Sequence, residues 1–104
     1  MNHRPTITPF YHFTDPATAR TIAKVGFESA GVWSHEGIVT IMDRPPATAG
    51  GAVLRVGLPP EATAAAMTYE DAAPTLGYRT FAVPIVLLRH AYIDIVNEGA
   101  QSRT

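Results

Sequence analysis

Apolar residues along this chain come in short bursts, separated by proline, glycine and polar clusters. Residues 10–14, Phe-Tyr-His-Phe-Thr, are aromatic and β-favouring and predict a strand, with Ile7 near its start. Asp15 then fits a helix N-cap, and Pro16 fits the first helical position, where a missing N–H is of no consequence. Ala19, Ile22 and Ala23 fall at i, i+3 and i+4, which gives the predicted helix over 17–26 one apolar face. Gly26 supplies a left-handed residue to end that helix, with Phe27 folding back over the end. Strand alternation sets Tyr11 and Phe13 on the face opposite His12, and assigns them to the core.

Residues 28–37 show no clean period and read as an irregular connection in which Val32 and Trp33 anchor part of the core. Residues 38–42, Ile-Val-Thr-Ile-Met, predict a second strand that Asp43-Arg44-Pro45-Pro46 stops. Residues 47–51 form a small-residue turn or a single helical turn. A third strand over 52–58 ends at Pro59-Pro60, and a short helix over 61–67 follows. Residues 68–77 are polar and turn-rich, 78–83 predict a strand, and 84–88 a turn or brief helix that begins at proline. In the last strand, 91–96, Tyr92, Asp94 and Val96 alternate with Ile93 and Ile95. Five short strands and one main helix near the N-terminus imply an α+β fold with a small mixed or antiparallel sheet. The expected organisation is a lead-in over 1–8, one domain over 9–96 and a flexible tail over 97–104.

Composition narrows the picture. A chain of 104 residues, 46% hydrophobic and 16% charged, holds one core and is not of disordered type. Eight basic and nine acidic residues leave it near neutral, and no basic run marks a nucleic-acid partner. Cysteine is absent, which removes disulfides and thiolate chemistry. The longest apolar stretch, 81–88, is too short to span a bilayer and contains Pro84, and residues 1–8 lead into no apolar signal region. The expectation is a cytoplasmic domain without a membrane partner, its oligomeric state open.

Candidate chemistry centres on His12 and Thr14, at the carboxyl end of a strand and beside a helix N-terminus, where a ligand would meet a side-chain donor and a helix dipole together. His35-Glu36 reads as solvated loop; no second ligand pair accompanies it, so no metal site is expected. Asp43-Arg44 reads as a turn with a surface ion pair, with a phosphate or carboxylate ligand as the alternative for Arg44, and Glu70-Asp71 as loop acids. On an alternating strand Tyr78 and Thr80 face one way and Arg79 the other. Tyr78 is placed to stack on a planar ligand if Thr80 lines a pocket. Phosphate loop, nucleophile elbow and Cys–His pair are all missing.

Tyr11-His12-Phe13-Thr14, a helix, then Val25-Gly26-Phe27 together resemble the opening of the ADP-ribosyltransferase-like superfamily and its small bacterial members. Gly37-Ile38-Val39-Thr40-Ile41 with Asp43-Arg44-Pro45 resembles that superfamily's second block, and 79–84 running to Ile93 its third. The resemblance implies a split sheet, NAD as substrate, and a cleft in which His12 orients the nicotinamide-side ribose. Thr14, Thr40 and Tyr78 would complete the nucleotide pocket, and Thr80 stands where the superfamily has a catalytic glutamate, with Glu70 the candidate if that carboxylate has migrated. A neutral hydroxyl lacks the negative field that a developing cation needs, so the catalytic motif is degenerate here. Two alternatives stand beside this reading. One is the same fold repurposed to bind or convert another small molecule, with His12 as acid/base; the other is a non-catalytic interaction module.

Overall fold

Aromatic and β-branched residues make the first strand longer than its Phe-Tyr-His-Phe core: in the computed structural model β1 runs Thr8–Thr14. The structure describes residues 6–31, 37–45, 51–71 and 79–97. Asp15 caps α1 (Pro16–Ala30) as its side chain accepts the Thr18 amide at 3.0 Å and the Thr18 hydroxyl at 2.6 Å. The Thr18 hydroxyl first, then its amide, hold the Asp15 carboxyl below the usual carboxylate range.

Gly26 does not end α1 but breaks it. Its φ of 88° and ψ of 167° lie outside helical space, and 27–30 then make one further turn. The true end is Gly31, left-handed at φ 71°, whose N–H donates to the carbonyls of Glu28 and Phe27. The break brings Phe27 into the core, where it is 1% exposed.

The remaining elements are β2 (Ile38–Met42), β3 (Ala52–Leu58), α2 (Pro60–Met67), β4 (Thr80–Pro84), a 3-10 turn (Ile85–Leu88) and β5 (Tyr92–Asn97). The strands form one sheet of order β4-β2-β1-β3-β5, antiparallel at every pairing. This settles the fold as α+β with two helices and a five-stranded antiparallel sheet. On one face Phe10, Leu54, Val56 and Leu58 meet Val39, Ile41, Phe81 and Val83, and Ala19, Ile22 and Phe27 of α1 with Ala66 of α2 join them in a single buried cluster.

Both helices therefore pack on the Phe10 face, and the expected core role of Tyr11 and Phe13 is corrected. They pair with Arg55 and Val53 on the face that the helices leave, and Phe13 is 39% exposed. Alternation separates the two sets of residues, but helix packing decides which set is buried. The alternation along β5 is as expected, with Tyr92, Asp94 and Val96 exposed and Ile93 and Ile95 half-buried. No helix among the described residues is long and apolar enough to cross a membrane. Val32, Trp33, His35, Glu36, Tyr78 and the stretches 1–5, 46–50 and 98–104 lie outside the described residues.

Candidate functional site

The site is built where the sheet parts. β1 pairs with β3 at seven consecutive positions, whereas its pairing with β2 is confined to Tyr11 opposite Met42. Three consecutive residues of β1 carry the links across this seam. The Phe10 ring meets the Phe81 ring of β4 edge to face, with centroids 5.4 Å apart and planes at 82°. Tyr11 supplies the backbone pairing. His12 Nδ1 lies 2.8 Å from the main-chain carbonyl oxygen of Thr40. Beyond His12 the β1–β2 ladder is not continued, and Phe13 and Thr14 find no partner on β2. The imidazole thus stands at the head of a wedge, the unladdered stretch between the end of β1 and the start of β2.

A carbonyl oxygen can only accept, so Nδ1 carries the proton and donates it to Thr40. In the neutral ring Nε2 is then an acceptor with a free lone pair. The ring is also held from the helix side, where Phe27 meets it at 5.2 Å between centroids and 81° between planes. Burial lowers the His12 pKa from its ordinary 6.5, and the Thr40 hydrogen bond opposes that shift without cancelling it. The folded protein consequently binds this proton less tightly than the unfolded chain does. His12 stabilisation is intact above pH 6.5 and is lost as the pH falls from there through the lowered folded value. Urea midpoints measured from pH 8 to pH 5 should fall more steeply for the native chain than for His12→Asn. Parallel curves would show that the ring does not resist protonation.

The expected site residues do not all converge. His12 and Thr14 share the helix-covered face, Thr14 half-buried and paired with Ala52. Thr40 pairs with Ala82, and Thr80 with Met42, which in turn pairs with Tyr11. Residues directly opposite in a ladder share a face, so the Thr40 and Thr80 side chains lie on the Tyr11 face. Thr40 takes part in the His12 site through its carbonyl and not its hydroxyl. Tyr78 is outside the described residues. The N-terminus of α1 is occupied by the Asp15 carboxylate, which disfavours an anion there.

On the outer side of β4, Glu70 bridges to Phe81, with the Asp71 amide donating to the Thr80 carbonyl at 2.8 Å. Glu70 takes Arg79 in a two-pronged ion pair at 2.7 Å for each bond, which holds its carboxyl below the usual range. Asp43 Oδ1 accepts the Arg79 amide at 3.0 Å, and the Arg79 guanidinium lies 5.5 Å from the Phe81 ring centre. Glu70 is therefore a structural clamp and not a free loop acid. Arg44 reaches Asp43 only at 3.9 Å. No group of three or more His, Cys, Asp or Glu side chains is arranged for a metal among the described residues.

Neither the contact of Phe27 with His12 nor the role of the Thr40 carbonyl is readable in the sequence. Every residue has a carbonyl, and fifteen positions separate His12 from Phe27 with no period linking them. Comparison with known protein families, with curated proteins and with solved structures finds no match to this chain.

Proposed function

We propose that this chain is a nucleotide-binding domain of the ADP-ribosyltransferase type. It takes NAD or a related nucleotide into the wedge between β1 and β2, with His12 orienting a ribose. One observation supports this above the others: an imidazole at the point of the wedge, its tautomer set by the Thr40 carbonyl and Nε2 left as an acceptor. A ribose hydroxyl is a suitable donor for that atom. Thr40 and Thr80 do not share that face, and position 80 has no carboxylate to stabilise an oxocarbenium-like transition state. The reading therefore rests on binding, and His12, Thr14 and the wedge backbone are its working parts.

A second reading has its own support. The lowered proton affinity of His12 keeps the ring unprotonated at neutral pH, which suits a general base acting on another hydroxylated small molecule.

Thermal unfolding with NAD, ADP-ribose and nicotinamide, each at millimolar concentration, tests the first reading. A ligand present at about a hundred times its Kd adds about 2.7 kcal/mol, a shift of several degrees in a domain of this size. NAD or ADP-ribose should raise the Tm of the native chain and leave His12→Ala unmoved. No shift with any of the three overturns nucleotide binding, and stabilisation by a non-nucleotide polyol alone would favour the second reading.

A further inference from the structure

Away from the wedge, a groove of about 270 Å³ opens between α2 and the 3-10 turn. Pro59, Glu61 and Ala62 line one side, and Val86, Leu87 and His90 the other. No residue of β1 or β2 contributes to it. Among the described residues its walls are mostly apolar, with one carboxylate and one imidazole as the polar groups.

The carboxylate is distinctive. Asp15 holds Thr18, Glu28 holds Arg89, Asp43 and Glu70 hold Arg79, and Asp94 holds Arg55. Asp71 is engaged as well. Among the described residues, Glu61 is the carboxylate with neither a hydrogen bond nor an ion pair, and it faces the groove. Among the described residues no Lys or Arg lines this site, and Arg89, three residues from Val86, is held by Glu28 through two bonds of 2.9 and 3.0 Å.

We propose that this groove binds a small organic ammonium ion. The cation sits against the Glu61 carboxylate, and its apolar body lies on Ala62, Val86 and Leu87. A ring nitrogen of His90 in its neutral form can accept a second N–H. An anion would meet the Glu61 charge, and a neutral ligand would leave that carboxylate without a partner. The volume is below the usual range for drug-sized ligands, which limits the occupant to a short amine with one ring or a short aliphatic chain. The site is independent of the His12 reading and stands or falls separately.

Titrating the ¹⁵N-labelled full chain with benzylammonium, benzyl alcohol and benzoate, and following amide shifts, tests this directly. Benzylammonium should produce saturable shifts at Ala62, Val86, Leu87 and His90, in His12→Ala as in the native chain. It should bind about fivefold more tightly than benzyl alcohol, the upper end of what an exposed ion pair supplies, and benzoate should bind most weakly. Glu61→Gln should reduce benzylammonium to the level of the alcohol. Absence of saturation, shifts centred elsewhere, equal binding of the three probes, or an unchanged Glu61→Gln titration would each overturn the proposal.

Discussion

Replacing Phe81 with alanine is expected to lower the unfolding free energy by about 3–5 kcal/mol, the range for deleting a fully buried aromatic ring. Phe81 is fully buried near the start of β4, packed edge to face on Phe10, with the Arg79 guanidinium 5.5 Å from its ring centre. A domain of this size has a total stability of roughly 5–15 kcal/mol. The variant should therefore melt about 12 °C or more below the native chain. Part of the loss belongs specifically to the seam, because the Phe10–Phe81 contact joins the β4-β2 pair to the other three strands. A double-mutant cycle with Phe10→Leu and Phe81→Leu, which keeps both positions apolar, should return a coupling of about 0.5–1.5 kcal/mol. Additive losses in urea denaturation would mean that the rings do not link the two halves.

Gly26→Ala comes next, at about 1–3 kcal/mol. The expected loss is instructive because nothing lies within 4 Å of where the new Cβ would stand. Crowding is not the cause. At φ 88° and ψ 167° the backbone is in a region open essentially to glycine alone. The variant must either accept that strain or straighten the helix, and straightening would carry Phe27 away from its contact with His12. Chemical denaturation measures the first effect, and the chemical shifts of the His12 ring report the second. Full native stability in Gly26→Ala would show that the break is not required.

Much of the fold was legible in the residues. Residues 38–42 and 52–58 form strands with the expected bounds, since Asp43-Arg44-Pro45 and Pro59-Pro60 leave little choice about where they stop. Asp15-Pro16 started α1 where the cap chemistry placed it. Gly26 reads as a glycine needing positive φ, but positive φ can interrupt a helix as well as close it. The four residues after it were enough for another turn. Tyr11 and Phe13 show a second limit: period two says which side chains share a face, whereas burial depends on which face the helices cover.

The site follows the same division. His12 stood out because its strand ran into a capped helix, and the seam makes it the point of a wedge. That Thr40 and Thr80 face away from it depends on register across three strands, which no single stretch of sequence encodes. Glu61 gave no local signal, and its lack of a partner is visible only once every other described carboxylate has been placed.

The strand order has a consequence for how this chain comes into being. β1 lies at the centre, β2 and β3 flank it, and β4 and β5 close the two outer positions. A nascent polypeptide emerging from its N-terminus can thus lay each new strand against an edge that already exists. No late arrival has to be inserted between neighbours that have already paired, so synthesis and assembly can proceed in the same direction.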